Sequence, residues 1–414
     1  MNLRILAIGD LGNNILILKK FSKNLDIHLI DFPRKGVSKI TYVSSEQEFF
    51  NSLKISQQVK YINKIKKNFD LCMVMSWAGA RVAYLAGLNY VMYFTGNDIR
   101  TPPFEKNAKE PYLKKSVNNF NWFERKFYRI VFNNALACVT QNQIFHNHLI
   151  KYRRDGIRMD RIPVYTTIFH ENVKPAELVK KKFTFFSPQR NGPEKGMELL
   201  WKALKLCKQD FEIIMIDWFD DRTEEEKIII KNLLEKKPNQ VKFISLIKRE
   251  DMPRYYRFAD AVLGQMRGGF TSGVEREAVF CHRVVISYSD PDIKYHLDGK
   301  IVESPYQPKS KDPKKIAEII DKVVESEKFR QQLWKDEFEF MNKLSDPNEC
   351  VKEWEKLFRD LFEKSHTIYR NTSKIKLKII NIFSNLMESL VYSQTMKKKN
   401  IEGWGEDEYR RLWK

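Results

Sequence analysis

Short apolar runs alternate with helical segments along most of the chain, and this alternation restricts the fold more than any other feature of the sequence. Runs at residues 3–9, 71–75 and 90–94 have the length and continuous hydrophobicity of strands buried on both faces of a sheet. Each run is followed by a segment with helical spacing, and the same order restarts at residue 183 after an irregular connection at residues 161–175. Strands that alternate with helices predict a parallel, doubly wound sheet, and here two such sheets in succession.

We therefore predict an α/β protein with two Rossmann-like domains that face each other across a cleft. The first domain is expected at residues 1–180 and the second at residues 181–348. A helix at 349–365 is expected to cross back to the first domain, and a basic, amphipathic helical tail is expected at 366–414. Ligands of doubly wound sheets bind at the carboxyl ends of the strands, so the functional site is expected in the cleft.

The positive charge of the chain is distributed unevenly. The formal net charge is +20, and residues 1–182 carry 30 Lys and Arg against 14 Asp and Glu. Residues 183–365 are nearly neutral, with 33 basic and 34 acidic side chains. A basic half attracts polyanions such as nucleic acid, an anionic lipid surface or phosphorylated substrates. If the positive charge served general solubility alone, residues 183–365 would not be expected to be nearly neutral.

Cysteine usage and hydropathy indicate a cytoplasmic protein. The five cysteines are scattered, odd in number and never in a CxxC pattern, which argues against a disulfide framework or a zinc site. The N-terminus reads as a first strand and not as a signal peptide. The most hydrophobic window, residues 71–94, is interrupted by Gly79, Arg81 and Gly87, so no membrane span is predicted.

Residues 373–394 repeat apolar residues at helical spacing and are flanked by lysines. The apolar stripe consists of Ile375, Ile379, Ile382, Phe383, Leu386 and Leu390, and the lysines are Lys374, Lys376 and Lys378. This pattern is typical of a helix packed against the body or a partner, and it also fits an interfacial membrane helix. Both interpretations stay open at this point.

The stretch from Gly264 to Ser287 reads as strand, glycine-rich loop, helix and strand. In that arrangement, free N–H groups at the helix start can hold a phosphate, and an acidic residue within the helix could accept hydrogen bonds from a ribose. An ordinary βα turn would have the same composition. The candidate ligand-binding residues of this stretch are Gly269, Phe270, Thr271, Ser272, Gly273 and Glu277.

A second loop, residues 187–196, follows the first strand of the second domain and contains two cations. Arg190 and Lys195 stand five residues apart among prolines and glycines, so the loop can turn both toward one point. Arg binds two oxygens at once and Lys supplies a compact charge, which together suit a diphosphate. Two solvated surface charges are the alternative.

Five segments in order resemble retaining GT-B glycosyltransferases of family 4. They are Gly96-Asn97-Asp98-Ile99-Arg100, the connection at 161–175, the pattern R-x4-K-G of Arg190, Lys195 and Gly196, residues 249–261, and the glycine loop with Glu277-Ala278 and Val284-Val285. The resemblance covers about residues 1–365 and is strongest over 183–290.

The resemblance implies a nucleotide-diphosphate sugar held by the second domain and an acceptor held by the first. Arg190 and Lys195 would be catalytic by neutralising the diphosphate leaving group. The helix start at 271–273 would donate N–H groups to it, and Glu277 would bind the ribose. The residues expected on the acceptor or sugar side are Gly12, Asn13, Thr95, Asp98 and Arg100. Neither a cofactor nor a metal is expected, and Asp290-Pro291-Asp292 is read as a non-metal motif.

Two positions differ from the family's pattern. Its E-x7-E motif places a glutamate eight residues before Glu277, where this chain has Gly269, and its histidine before the Gly-x-Asp pattern is Thr95 here. Both positions contact the donor sugar in the family, so the resemblance implies altered sugar choice or reduced activity. Glu275 stands at the wrong spacing to replace the missing glutamate directly.

The leading hypothesis is a retaining glycosyltransferase whose acceptor is a glycan or lipid-linked phosphate at the anionic cytoplasmic face of a membrane. A second hypothesis is a nucleotide-sugar-binding or scaffold protein of the same fold without turnover. Nucleic-acid binding through the basic half is a third. Because the chain has no RNP-like, helix-turn-helix or zinc pattern, no specific nucleic-acid partner is expected.

Overall fold

The computed structural model describes residues 2–32, 47–105, 120–219 and 224–370, and residues 373, 375, 377–382, 385 and 386 of the tail. It contains two parallel sheets with helices packed on their faces, which confirms the predicted pair of Rossmann-like domains. We call the part built on the seven-stranded sheet the first domain and the part built on the five-stranded sheet the second domain.

The first domain is a parallel sheet in the order β3-β2-β1-β4-β5-β6-β7. Its strands are β1 (Leu3–Ile8), β2 (Leu25–Asp31), β3 (Gln47–Phe49), β4 (Leu71–Val74), β5 (Tyr90–Phe94), β6 (Ala137–Thr140) and β7 (Ile157–Arg158). Its helices are α1 (Asn14–Phe21), α2 (Ile55–Ile65), α3 (Trp77–Leu85), α4 (Asn97–Arg100), α5 (Trp122–Asn133) and α6 (Gln143–Leu149). Every residue of β4, β5 and β6 is buried, as expected of central strands covered on both faces.

The second domain is a parallel sheet in the order β10-β9-β8-β11-β12. Its strands are β8 (Phe183–Ser187), β9 (Phe211–Ile216), β10 (Val241–Ile244), β11 (Ala261–Leu263) and β12 (Val284–Ile286). The helices are α7 (Met197–Leu204), α8 (Glu224–Leu234), α9 (Met252–Phe258), α10 (Gly273–Phe280), α11 (Pro313–Glu325), α12 (Glu327–Ser345) and α13 (Pro347–Ser365). An antiparallel hairpin, β13 (Lys294–Leu297) with β14 (Lys300–Glu303), follows β12.

Three short features were not predicted from the sequence. The edge strands β3 and β7 have three and two residues, too few to show a period. The hairpin β13–β14 has four-residue strands, and only two residues, Asp298 and Gly299, join them. Both adopt positive φ, as two-residue hairpin turns require.

Helix α13 packs against the first domain although it follows the second in sequence. The Trp354 ring lies 4.8 Å from the ring of Tyr93 at a steep angle. The Glu355 carboxylate accepts hydrogen bonds from Ser22 Oγ at 3.0 Å and Asn24 Nδ2 at 2.8 Å. Helix α13 therefore connects the second domain to the first.

The described part of the tail is helical between residues 375 and 386. Leu377 reaches Gly87 at the end of α3, and Ile380 packs on the core of the first domain. The remaining apolar side chains point away from the body, with Ile375, Ile379, Ile382 and Leu386 between 55% and 72% exposed. Phe383, Leu390, Lys374 and Lys376 of the predicted stripe lie outside the described residues. Within the described part of the chain, no helix is long and apolar enough to cross a membrane.

Candidate active site

A cleft of about 560 Å³ lies between the two domains, and both contribute to its walls. Most of the residues predicted for the site line it, which the two sheets achieve by presenting the carboxyl ends of their strands to the same space. The predicted residues in the wall are Gly12, Thr95, Arg100, Arg190, Lys195, Phe270, Thr271, Ser272, Gly273 and Glu277. Asn13, Asp98 and Gly269 are not among the lining residues, so the structure does not bring these three into the cleft wall.

The loop after β8 brings Arg190 and Lys195 to the cleft, as the spacing predicted. Arg190 lies 3.5 Å from the Glu194 carboxylate and faces the Trp218 ring at 5.7 Å. The Lys195 carbonyl accepts a hydrogen bond from the Met266 N–H at 2.8 Å, which ties this loop to the glycine-rich loop. The loop that carries both cations is therefore held in place by backbone contacts.

Gly196 makes the joint between the two loops possible. Its φ is +76°, and a Cβ there would lie 2.9 Å from the carbonyl carbon of Met266. Arg267 closes the same joint from the other side by donating to the Pro193 carbonyl at 2.8 Å and pairing with Glu198. A larger residue at position 196 would push the cationic loop away from the glycine loop.

The start of α10 differs from the prediction, because two of the N–H groups expected to bind a phosphate already have hydrogen-bond partners. The Thr271 N–H donates to the Tyr295 hydroxyl at 3.0 Å, and the Ser272 N–H donates to the Glu275 carboxylate at 2.7 Å. Neither is open to a phosphate, which corrects the expectation for these two residues. The N–H groups of Gly273 and Val274, the first two helical positions, have no preceding carbonyl within the helix to bond.

Glu275 is a structural residue. Its side chain is 1% exposed, caps α10 through Ser272 and accepts a hydrogen bond from Ser287 Oγ at 2.6 Å. A Cβ at Gly264 would lie 2.7 Å from its carboxylate. Glu275 is thus enclosed behind the glycine loop and cannot replace the missing glutamate in the cleft.

Glu277 lines the cleft and is held by two partners. Its carboxylate forms an ion pair with Arg249 and accepts a hydrogen bond from the Tyr256 hydroxyl at 3.1 Å. The residue is 5% exposed, so the ion pair offsets the desolvation of its charge. An ionised carboxylate offers about four lone-pair sites, which leaves acceptor capacity for a ribose. The sequence indicated residues 249–261 as a motif, but the ion pair by which Arg249 orients Glu277 was not predicted from it.

Gly269 is buried under the loop that follows β12. Its φ is +74°, and a Cβ would lie 2.6 Å from Asp290 Cβ. Its carbonyl accepts a hydrogen bond from the Asp290 N–H at 3.0 Å. A glutamate cannot occupy this position in this backbone conformation, and the carboxylate that reaches the cleft wall nearby is that of Asp290.

On the first domain, Asp98 organises a loop and does not face the cleft. Its carboxylate accepts hydrogen bonds from the N–H groups of Gly96 at 2.9 Å, Ile99 at 3.0 Å and Thr95 at 3.3 Å. Burial raises the pKa of Asp98 to about 6, against the opposing effect of these N–H donors. The result is a fixed loop that carries Thr95 and Arg100 into the cleft wall.

The other first-domain loop, after β1, is shaped in the same way. Asp10 is buried, and its carboxylate accepts hydrogen bonds from the Ile15 N–H at 3.2 Å and the Leu16 N–H at 2.9 Å. Asn13 has φ +60° and is 3% exposed, so it turns the backbone and leaves Gly12 in the wall. The pattern of an acidic residue ahead of a helix signals this capping.

Seven cationic side chains and three carboxylates line the cleft. The cations are Arg100, Arg190, Lys195, Arg249, Arg267, Arg276 and Lys311, and the carboxylates are Glu194, Glu277 and Asp290. Arg276 is partly desolvated at the start of α10, and burial lowers its pKa. No group of three side chains suited to a metal ion occurs among the described residues. The surplus of positive charge therefore suits an anionic ligand.

Comparison with known proteins agrees with this geometry. Residues 169–338 match the family model of glycosyl transferases group 1. No curated protein matches the chain in sequence. The segment matched includes both cation-bearing loops and the whole of α10.

Solved structures match almost the entire chain in three dimensions. HepE from Anabaena in complex with UDP and glucose has a TM-score of 0.60 and 13% identity over 87% of this chain and 100% of its own. Sucrose-phosphate synthase from Thermosynechococcus elongatus has a TM-score of 0.62 and 15% identity over 88% and 100%. An alpha-glucosyltransferase in complex with UDP and DNA has a TM-score of 0.63 and 11% identity over 87% and 100%.

These matches confirm the resemblance to group 1 glycosyltransferases with the GT-B fold. Residues 169–338, which include nearly all of the second domain, match the group 1 glycosyltransferase model, and both domains share the GT-B architecture. Membership of family 4 stays a prediction.

Proposed function

We propose that the protein is a retaining glycosyltransferase that moves a sugar from a nucleotide-diphosphate sugar to a glycan or lipid-linked acceptor. The observation that carries the proposal is that Arg190, Lys195 and the start of α10 line one cleft together with Glu277. UDP-sugars are the first donors to test, because HepE was solved with UDP-glucose and the alpha-glucosyltransferase with UDP.

The chemistry that these residues support is leaving-group stabilisation. As the glycosidic bond breaks, negative charge grows on the diphosphate, and preorganised cations and N–H donors bind that charge more strongly than the ground state. Arg190 and Lys195 supply the cations, and the Gly273 and Val274 N–H groups supply the donors. Glu277 accepts hydrogen bonds from the ribose and fixes the nucleotide.

We propose that this chemistry needs no metal ion. The cations that line the cleft neutralise the diphosphate in the role that a divalent ion has in other transferases. Turnover is expected to survive chelation by EDTA, and loss of turnover that added Mg²⁺ or Mn²⁺ restores would contradict this. Retention of configuration is checked by the anomeric proton coupling of the product.

The acceptor is proposed to lie at an anionic, cytoplasmic membrane surface. Trp122 and Phe123 at the start of α5 are 62% and 53% exposed, and Lys126 lies 4.9 Å from the Trp122 ring. Exposed aromatic residues beside lysines are typical of surfaces that enter the lipid headgroup region.

The exposed stripe of the tail helix belongs to the same side of the first domain. Phe127 of α5 packs against Tyr84 near the end of α3, and Leu377 of the tail reaches Gly87 just beyond it. Lys66 lies 5.4 Å from the ring of Tyr369 in the chain that leads to the tail. Aromatic, aliphatic and basic groups around the end of α3 support an anionic lipid surface as the partner.

The test of the donor site is a thermal-shift screen against UDP, GDP, ADP and their sugars. A ligand that binds the native state alone raises the melting temperature, by an amount that grows with its concentration over Kd. We expect UDP and a UDP-sugar to stabilise the protein. No shift with any nucleotide would contradict the proposal.

Binding without turnover is the alternative, and Gly269 and Thr95 are the observations that favour it. Assays of donor hydrolysis and transfer separate the two, because a binding or scaffold protein shows the thermal shift and releases no nucleotide. Duplex DNA belongs in the acceptor panel, since the alpha-glucosyltransferase was solved with DNA. We expect no transfer to it.

A further inference from the structure

We propose that the Asp290 carboxylate accepts a hydrogen bond from a hydroxyl group of the donor's sugar and thereby selects that sugar. This inference rests on the proposed function of the cleft. It assigns a residue that the position of the family's glutamate would not identify, because Asp290 lies 21 residues beyond Gly269 in the sequence.

The loop that carries Asp290 is fixed against the glycine loop by backbone hydrogen bonds. The Tyr288 N–H donates to the Gln265 carbonyl at 2.9 Å, and the Asp290 N–H donates to the Gly269 carbonyl at 3.0 Å. The Ser289 N–H donates on the other side to the Pro308 carbonyl at 3.0 Å. Asp290 is therefore held in the wall before any ligand arrives, which reduces the entropy lost on binding.

Gly269 and Asp290 act as a pair. A side chain at position 269 would fill the space in which Asp290 Cβ lies, since an added Cβ would be 2.6 Å from it. The absence of a side chain at 269 is thus what lets Asp290 approach this part of the wall. The loop that follows the neighbouring strand, β12, supplies the carboxylate.

The Asp290 carboxylate keeps acceptor capacity. One oxygen accepts a hydrogen bond from the Asp292 N–H at 3.0 Å, and the carboxylate also accepts one from the Tyr288 hydroxyl. Burial, chiefly, and Asp290 raise the pKa of Tyr288 to about 12. No ion pair to Asp290 is found within the described ranges of the chain, unlike Glu194 and Glu277. An ionised carboxylate accepts about four hydrogen bonds, so positions remain for a ligand.

The surroundings indicate a neutral polyol as the group bound. Asp290 would repel an anionic group of the ligand. Lys311, which lines the same cleft and lies 4.9 Å from the Tyr288 ring, would repel a cationic group. A sugar hydroxyl donates to a carboxylate without adding charge. Such a hydrogen bond to a charged group contributes about 1.5–3 kcal/mol, or roughly 10- to 150-fold in affinity.

The test compares affinities for UDP and for a UDP-sugar in the full-length protein. The probes are UDP, UDP-glucose, UDP-galactose and UDP-N-acetylglucosamine, measured by calorimetry with wild type, Asp290→Asn and Asp292→Asn. Asp292 is the matched control, because its side chain is exposed and outside the cleft wall and only its backbone N–H contacts Asp290.

We expect Asp290→Asn to lose about tenfold or more of the affinity for the preferred UDP-sugar and to keep the affinity for UDP within about twofold. Asp292→Asn should match wild type for all four ligands. An unchanged ratio of UDP-sugar to UDP affinity in Asp290→Asn overturns the inference, and so does a wild type that binds all three sugars no differently from UDP. Failure of wild type to bind any of UDP, GDP and ADP overturns the proposed function and this inference with it. Equal melting temperatures of the ligand-free variants exclude misfolding as the cause.

Discussion

The two walls of the cleft differ in a way that the overall charge of each domain does not indicate. The first domain carries most of the excess positive charge, yet among the described residues it contributes only Arg100 to the seven cations of the cleft. The nearly neutral second domain contributes the other six. Its cations are matched by carboxylates elsewhere in the domain, so they do not appear in its net charge.

Net charge and the charge of the site therefore report separate functions. Cations in the cleft are placed by loops at strand ends and, in the proposed function, act at short range on a diphosphate. We propose that the excess charge of the first domain, of which Arg100 alone is found in the described cleft wall, acts over about a Debye length on a large anionic partner.

Removal of a cleft cation should abolish most turnover without unfolding the protein. Arg190→Ala and Lys195→Ala are each expected to lower kcat by about 100- to 1,000-fold, the loss typical of one group that stabilises transition-state charge. The measurement is nucleotide release with the preferred donor. Lys202→Ala, an exposed cation on α7, is the matched control and should keep full activity. Unchanged hydrolysis and transfer in both variants would remove the diphosphate assignment.

The Arg249–Glu277 ion pair should matter to both stability and binding. Arg249→Met removes the cation beside the Glu277 carboxylate, which is 5% exposed, and leaves the hydrogen bond from the Tyr256 hydroxyl. We therefore expect a loss of about 3 kcal/mol in the free energy of unfolding. The double variant Arg249→Met with Glu277→Gln should recover much of that stability and still bind UDP weakly. Urea unfolding and UDP titration measure the two effects. Equal stability of the single and double variants would contradict the buried pair.

Changes to the outer surface of the first domain should affect membrane binding alone. Trp122→Ser with Phe123→Ser is expected to weaken binding to anionic liposomes by about tenfold or more, since each buried large side chain contributes about 1.5–3 kcal/mol. UDP affinity should not change. Leu178→Ser with Val179→Ser removes apolar residues that are also exposed and serves as the control. Binding that is independent of salt, or absent in wild type, would contradict an electrostatic contribution from the basic domain.

The smallest effect concerns Asp98 and pH. Its pKa is about 6 in the folded protein against 3.8 for the ordinary carboxyl, so between these values the folded state binds more protons than the unfolded chain. The contribution of this group to the free energy of unfolding therefore falls as pH rises from about 4 to about 6 and is constant above. Asp98→Asn should remove that slope in urea unfolding measured from pH 4 to pH 8. A slope that persists in the variant would show that Asp98 is not its source.

Local sequence information was enough to place Arg190, Lys195 and Glu277 in the cleft, because each follows a recognisable strand and sits in a short loop or the first turns of a helix. It was not enough for Thr271, Ser272 and Glu275. At the start of α10, the Tyr295 hydroxyl of the hairpin accepts a hydrogen bond from the Thr271 N–H, and the Glu275 carboxylate accepts one from the Ser272 N–H. The hairpin could not be predicted from strands of four residues, so its effect on the helix start could not be predicted either.

Two parallel sheets and the loops that bear the cations could be predicted from the sequence, because hydrophobic periodicity is a local property and ligands bind at strand ends. Which carboxylates reach the cleft could not be predicted in this way and depends on the packing of the folded chain. Gly269 meets Asp290 because β11 and β12 pair side by side and bring the loops that follow them to one edge of the sheet. Arg249, just before α9, meets Glu277 because α9 packs against α10. The physical reason is that a side chain's direction and partners depend on packing between neighbouring strands, which no single segment of the chain specifies.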